Sequence, residues 1–403
     1  MHPTLNLMTP EARANPYPLY AELRRTGIRQ VEPGGLWAVS RYDDVVAVMK
    51  DPRRFSSAGL GRSFLPPWLP RNPVTESLVM KDPPAHTRLR GRVSRAFAPA
   101  AMTALEPRIR AIANGLAEQL VRHEGPVDFM AEFALRLPVS VLGLILGLEP
   151  EQYPRLKEWA DDLINLPAGR HSPEEQARVR ESLASLERCF EELIEARRGT
   201  PGNDLVSELL GPDADGSVLS HEELISFLFA LLPAGVETTV YLLANSLVVL
   251  SERPEERARV LSDRTLIPRL IEEVLRYEPP GHSSLRLVLE ETELAGVRLP
   301  RGAIVVVLLA SALRDESHFP QADQFLMDRE RASHLAFGHG VHYCLGALLA
   351  RLEARLGLEA LFSRIQDFSR ASPELTWSPS LIARGPLALP IHLVLNTPRH
   401  ESR

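Results

Sequence analysis

The sequence predicts a mainly α protein with a minor β part, folded as one large domain over residues 1–403. Three observations carry this reading. Helical periodicity runs from His86 to about Leu210, broken near Gly125, Gly143, Ala168 and Gly202. A nearly apolar stretch from Leu224 to Leu250 follows Ser220-His221-Glu222-Glu223, a capping box that opens one long helix. Strand-like runs are confined to the two ends of the chain.

In chain order, Pro10–Thr26 reads as a helix, Gly35–Ser40 as a short strand and Tyr42–Lys50 as a helix. From Ser56 to Pro84 the chain is irregular. Aromatic residues and prolines crowd between Phe64 and Trp68, which suggests a packed lid with hinges near Gly59–Gly61 and Asn72–Pro73. Pro233 interrupts the hydrogen-bond ladder of the long helix, at ~3 kcal/mol in an ordinary helix, so a kink or an inserted water is expected. A helix over about Leu266–Tyr277 stops at Pro279-Pro280. Val297–Ala312 reads as two strands joined by Pro300-Arg301-Gly302. A last helix covers about Cys344–Ile365, and the tail reads as a hairpin.

The chain has 403 residues, 44% hydrophobic and 24% charged, so it is an ordinary globular protein whose core can enclose a cofactor. Lys+Arg 46 against Asp+Glu 52 leaves −6, which excludes a general nucleic-acid binder. Only Lys50, Lys81 and Lys157 are lysines, so any cationic face is built of guanidinium groups. Two cysteines, Cys189 and Cys344, are too few for a disulfide scaffold and point to a reducing compartment, the cytoplasm. The first residues lack an apolar signal region, and neither a signal peptide nor a membrane anchor is expected. The apolar stretch itself carries Pro233, Glu237, Thr238, Thr239 and Asn245, which suits a buried core helix better than a membrane span.

Four segments carry chemistry. In Phe337-Gly338-His339-Gly340-Val341-His342-Tyr343-Cys344-Leu345-Gly346, glycines permit a tight turn and Gly346 lets the next helix approach something flat. A thiolate at a helix N-terminus is favoured by the helix dipole and suited to a metal. Cys189, inside the amphipathic run SLERCFEELI, reads instead as a small buried hydrophobe. In Leu232–Thr239, Glu237 beside Thr238 within an apolar helix needs partners. There Gly235 removes a side chain, and Thr238 can reach the carbonyl of Ala234 four residues back. Glu273 and Arg276 lie at i, i+3 on one helix face. His86 and Arg90 share a helix face one turn apart, and Arg286 and His342 complete a basic set.

FGHGVHYCLG resembles the haem-ligating loop of the cytochrome P450 family, and the resemblance runs from about residue 15 to 395, in the pattern of the soluble bacterial branch. It implies haem b (iron protoporphyrin IX) between the long helix and the cysteine helix. Cys344 would be the axial thiolate that pushes electron density to iron. Phe337, Gly338, Gly346, Ala234 and Gly235 would lie against the haem, with His86, Arg90, Arg286 and His342 at its propionates. By the same resemblance, Glu237 relays protons from solvent and Thr238 holds the oxygen ligand for protonation. Glu273 and Arg276 match a buried pair that braces the cysteine loop. The family's third partner, usually Arg or His, aligns with Gln324, a departure that removes a charge.

The resemblance also places a substrate pocket. The irregular loop would contribute Phe64, Leu65, Trp68 and Val79. The long helix would contribute Leu231, Leu232, Ala234 and Val236. Gly281, His282, Ser283 and Leu285 precede or flank Arg286, and Ile382 and Ala383 form the hairpin tip. The set is apolar, so a fatty acid, a terpenoid or steroid-like molecule or a polyketide fits. His282 is a polar intruder that either anchors a carbonyl or carboxylate or turns away to bond backbone. The implied reaction inserts one atom of dioxygen into that molecule, using electrons from a ferredoxin or flavodoxin and an NAD(P)H reductase. Arg88, Arg92, Arg95, Arg351 and Arg355 are candidates for the docking face of that donor. The protein is expected to be a monomer. A hydrogen-peroxide-driven peroxygenase and a non-catalytic haem-thiolate sensor are the alternatives; the Glu237-Thr238 pair counts against both.

Overall fold

The computed structural model describes residues 5–166, 171–212, 216–330 and 333–396, apart from the side chains of residues 62–64 and 165. Helix dominates. The longest helix, His221–Ser251, begins at the expected capping box: the Ser220 hydroxyl accepts from the Glu223 N–H while the Glu223 carboxylate accepts from the Ser220 N–H. It is long and apolar enough to cross a membrane, yet 67% of its most apolar window is buried inside the protein. Asn245 ties it to the rest of the fold through its amide nitrogen, its Oδ1 being buried without a partner. Asn245 Nδ2 donates to the carbonyls of Glu278 and Arg384 at 3.0 and 3.1 Å. The helix continues through Pro233, so that proline removes a hydrogen bond without ending the helix.

Around this axis pack the helices Pro99–Leu120, Arg136–Leu146, Tyr153–Asn165, Pro173–Gly199, Ile267–Tyr277 and Ala347–Phe362. Breaks fall near Gly125 and Gly202 as the periodicity indicates, but Gly143 lies inside Arg136–Leu146. A Cβ there would sit 2.1 Å from Tyr153 Cε1, so the residue is small for packing rather than for a turn. The helix ends instead at Gly147, with φ 75°. Ala168 is outside the described residues.

The strands are β1 Arg29–Val31, β2 Leu36–Val39, β3 Phe55–Ser56, β4 Val127–Asp128, β5 Ser284–Val288, β6 Thr292–Leu294, β7 Val297–Leu299, β8 Ile304–Val307, β9 Ile365–Arg370 and β10 Pro390–Leu395. Among the described residues they form a five-stranded sheet in the order β1-β2-β8-β5-β3, a three-stranded sheet β4-β10-β9 and the pair β6-β7. The two strands read from Val297–Ala312 are present as β7 and β8, but they belong to different sheets. The residues after β8 turn helical at Leu309–Ala312. The tail is less regular than a hairpin: β10 pairs with β9, and only isolated bridges such as Trp377–Pro386 lie between them.

Candidate active site

The loop before the last helix is shaped by glycine. Gly338 and Gly340 have φ of 74° and 70°, a region that costs a side-chain-bearing residue, and a Cβ on Gly340 would lie 2.5 Å from the carbonyl oxygen of Met49. The loop is tied back on itself, the Cys344 N–H donating to the Phe337 carbonyl at 2.9 Å. The helix begins only at Ala347, three residues after Cys344. Burial pushes the Cys344 thiol up, against the Gly346 N–H and the charges of Arg90 and Arg351. Cys344 precedes the helix and is open to the cavity, so the helix dipole acts on it only at a distance. A metal cation beside the sulfur would restore the thiolate.

Opposite this loop lies the long helix. Phe227, Ala230, Leu231, Ala234, Gly235, Thr238, Thr239 and Leu242 recur at helical spacing on one face. That face and Cys344 bound a single cavity of about 390 Å³. The Thr238 hydroxyl donates to the Ala234 carbonyl at 3.2 Å, as the four-residue spacing indicates. A Cβ built on Gly235 or on Gly346 meets nothing within 4 Å, so open space adjoins both. Two other hollows, of about 590 and 1010 Å³, are larger, but neither contains Cys344 or Thr238.

One rim of the cavity is basic. His86 is 1% exposed, and neither ring nitrogen has a partner; His342 Nε2 is likewise buried and unpartnered. The two rings lie 4.3 Å apart. Arg286 is buried and donates to Ser284 Oγ and the Leu285 carbonyl, at 2.7 and 2.6 Å. Among the described residues no carboxylate forms an ion pair with it, and burial depresses it to about 10. Arg90 donates to the Tyr343 carbonyl at 2.6 Å. His342 is pushed down to about 3 by burial and by Arg286, His86 and Arg90.

The model of the family described as Cytochrome P450 matches residues 32–373. The chain belongs to the cytochrome P450 family. It is 38% identical over 387 residues to cytochrome P450 monooxygenase PikC of Streptomyces venezuelae, covering 94% of this chain and 91% of that protein. Its structure is similar to CYP109Q5 of Chondromyces apiculatus, with TM-score 0.90 and 40% identity over 98% of this chain and 100% of that one. It is also similar to CYP109E1 of Bacillus megaterium in complex with corticosterone, with TM-score 0.84 and 36% identity over 94% and 99% of the two chains. This P450 is therefore a haem-dependent monooxygenase.

The residues present fit haem. Basic groups whose buried nitrogens lack partners suit two carboxylates. The side-chain-free surfaces at Gly235 and Gly346 suit a flat ring, and a cavity-facing cysteine suits iron.

Beneath the loop, the brace differs from expectation. Arg276 is 2% exposed and makes a two-pronged bond to Glu273, at 2.9 and 2.7 Å. It also donates to the carbonyls of Leu313, Ala322 and Gln324. Gln324 thus contributes its backbone, and the third charged partner is Arg329, whose Nε lies 3.4 Å from Glu273. The third cation is supplied five residues later along the loop, which alignment at Gln324 missed.

The pocket reading needs correction by periodicity. Val79, Leu231, Ala234 and Gly281 line the cavity, whereas Leu232 (0% exposed) and Val236 point into the main core from the opposite helix face. On β5, alternation aims Ser284 and Arg286 inward, so Ser283 and Leu285 face away; Ser283 Oγ bonds the Leu381 carbonyl at 2.9 Å. His282 is also turned away, 3.2 Å from the Tyr20 hydroxyl and among Tyr17, Tyr20 and Glu278. Ile382 and Ala383 do not line the cavity; the Ile382 carbonyl accepts from the N–H of His282. Nor do Leu65 and Trp68, and the side chain of Phe64 lies outside the described residues. Cavity residues missed by sequence reading include Leu78, Phe97, Phe227, Leu309 and Glu353. Phe227 continues the helical spacing back from Leu231 and was legible; the others are brought in by tertiary packing.

The arginines read as a docking face are mostly committed. Arg88 pairs with Glu223, Arg351 with Glu272, and Arg355 with Glu106 and Glu359. Arg92 is buried and donates to the carbonyls of Leu209 and Gly211.

Trp68 packs edge-on to His171 at 5.3 Å, with Arg180 over its ring at 5.9 Å. Two residues on from Pro70, Asn72 caps the next turn, and Arg71 reaches Glu187 at 3.1 Å. The loop is thereby clipped to Pro173–Gly199. Trp68→Ala should speed both entry and escape of a ligand that shifts the haem spectrum, with little change in Kd. Stopped-flow absorbance checks this; a weaker Kd at an unchanged entry rate would put the ring on the ligand instead.

Proposed function

We propose that this P450 hydroxylates a steroid-like hydrophobic molecule in the cytoplasm, with Cys344 as the haem ligand and with Glu237 and Thr238 delivering protons. The observation that carries the reading is that Cys344 and Thr238 bound the same apolar cavity, with basic residues at one rim. Haem bound through Cys344 supplies an electron-rich iron at which dioxygen is reduced and cleaved. His86, Arg90, Arg286 and His342 would hold its propionates.

The chain's own groups prepare that chemistry. Thr238 Oγ1, anchored on the Ala234 carbonyl, presents a hydroxyl to the cavity and steadies what protonation must reach. Glu237 is half-buried behind it and outside the cavity lining. Burial pushes its carboxyl up, partly offset by hydrogen bonding from Tyr241, while Asp161 adds repulsion. A carboxyl raised towards neutrality can both take a proton from solvent and release it. Leu78, Val79, Phe97, Phe227, Leu231 and Leu309 exclude water and offer an apolar bed. CYP109E1, a relative at 36% identity, is described with corticosterone, which supports a steroid nucleus as the first candidate. Electrons come from separate carriers, a ferredoxin or flavodoxin with its NAD(P)H reductase.

Two measurements test this. Corticosterone should shift the haem from low to high spin in an optical titration, more strongly than a straight-chain fatty acid; the reverse order would replace the steroid class. Thr238→Ala should leave haem content and ligand binding nearly unchanged, while product per NAD(P)H falls and hydrogen peroxide rises. Unchanged coupling would make Thr238 a structural residue.

A further inference from the structure

At Gly281 the cavity wall is bare backbone. Pro280 and Gly281 both line the cavity, and a Cβ built on Gly281 meets only the Ala336 carbonyl, at 3.9 Å. The strip is therefore placed by what holds it from behind. The Pro280 carbonyl accepts from the Arg384 N–H at 2.8 Å. The His282 N–H donates to the Ile382 carbonyl at 2.7 Å. The His282 carbonyl accepts from the Ala310 N–H at 3.1 Å, next to the cavity residue Leu309.

The His282 side chain is buried behind this strip and is held by parts of the chain far away in sequence. Its Nδ1 is 3.2 Å from the hydroxyl of Tyr20, on the helix Tyr17–Thr26. Its Nε2 faces Glu278 Oε1 at 3.7 Å. The carboxylate favours the tautomer with its proton on Nε2, so Nδ1 accepts from Tyr20. Glu278 in turn accepts from Arg384 Nε at 2.9 Å, and Asn245 of the long helix donates to the carbonyls of both. Tyr20, Asn245, Glu278 and Arg384 are all buried.

An apolar filling would avoid the cost of burying these charges. What polar groups add is direction. A hydrogen bond sets an angle as well as a separation, and a buried network of them holds the attached backbone in one place. The position of a cavity wall decides which atom of a bound molecule meets the reacting centre, and a displacement of about 1 Å is enough to matter.

We propose that His282, held between Tyr20 and Glu278, is a positioning residue that fixes the Pro280-Gly281 wall and thereby selects which carbon of the substrate is oxidised. Its ring does not reach the substrate; it acts through Gly281. The proposal rests on reading this cavity as the substrate site.

The test uses the ferric holoenzyme and two azoles. Imidazole needs only the iron, whereas 4-phenylimidazole must also fit its phenyl ring into the cavity. His282→Leu keeps the bulk and removes the polar contacts; Tyr20→Phe removes a single oxygen. In both, the Kd of 4-phenylimidazole should rise several-fold, while that of imidazole and the Soret band of the reduced carbon monoxide complex stay as in the parent. His282→Gln should restore the parent value, because its carbonyl can accept from Tyr20 and its amide can donate to Glu278. With corticosterone as substrate, the share of the main hydroxylated product should fall in His282→Leu and Tyr20→Phe and hold in His282→Gln. Parent-like Kd values and product shares in both His282→Leu and Tyr20→Phe would overturn the proposal. So would equal weakening of both azoles, which marks a role in the fold alone, or a His282→Gln variant that fares like His282→Leu. A parent that binds imidazole but leaves corticosterone unoxidised would sink the steroid reading, and the two azoles would still decide this one.

Discussion

Cys344→Ser is expected to abolish the strongly red-shifted Soret band of the reduced carbon monoxide complex, and with it turnover. Serine preserves the size of the side chain and the bond from the residue-344 N–H to Phe337, so the loop should keep its form. What is lost is the soft anionic sulfur, the only thiol that the cavity presents. Cys189 is the control. It sits half-buried on the helix Pro173–Gly199, outside the cavity, and burial raises its thiol. Cys189→Ser should therefore leave the band intact. A band that survives Cys344→Ser, or disappears in Cys189→Ser, would reverse the assignment.

Arg276→Ala should have the largest effect on the fold. The guanidinium answers both oxygens of Glu273 and the buried carbonyls of Leu313 and Ala322, together with the part-buried carbonyl of Gln324. Its loss leaves the Leu313 and Ala322 carbonyls without this donor, while the Gln324 carbonyl keeps Arg329 and Glu273 keeps Arg329 and the Leu326 N–H, a change of about 3–5 kcal/mol for a broken buried pair. That is a large share of a typical stability of about 5–15 kcal/mol. Arg276→Lys should fare little better, since an ammonium cannot span a carboxylate and three carbonyls in a planar fork. Thermal denaturation and haem content per chain read both variants. Gln324→Ala should stay within about 0.5 kcal/mol of the parent, because only its carbonyl is used. Arg329→Ala should cost about 1–3 kcal/mol. If Gln324→Ala proves the more damaging of the two, its side chain does more than these contacts indicate.

These residues also show what the chain discloses on its own. The cysteine loop and the Thr238 turn were readable because each is local: glycine spacing, a four-residue hydroxyl reach and a capping box act within a few residues. The brace was readable at Glu273 and Arg276 for the same reason, and misread at Gln324 because the third cation arrives from a loop whose path only the tertiary fold sets. The pocket was half legible. Applying the 3.6 period to Leu231–Leu242 separates Leu231, Ala234 and Thr238 from Leu232 and Val236, and the period of two on β5 separates Ser284 and Arg286 from Ser283 and Leu285. Treating each stretch as contiguous lining ignored both periods. Glu353 carries no local signal of its place in the cavity wall, which only the packing of the helices sets.

The crowd of unanswered bases at the cavity rim has a consequence for how this protein matures. Before haem arrives, closing the fold brings His86, Arg90, Arg286 and His342 together, largely withdrawn from water, and Arg286 has no ion pair among the described residues, only the more distant charge of Asp82. The same closure becomes favourable once two propionates enter. Haem then binds the folded state far better than the unfolded one, and its supply shifts the folding equilibrium by mass action, by about 2.7 kcal/mol when free haem is at roughly 100 times its Kd. The melting temperature should accordingly climb with added haem. Cells starved of iron or porphyrin should accumulate a softer, protease-sensitive chain, so that the abundance of the enzyme follows the cofactor rather than the transcript alone.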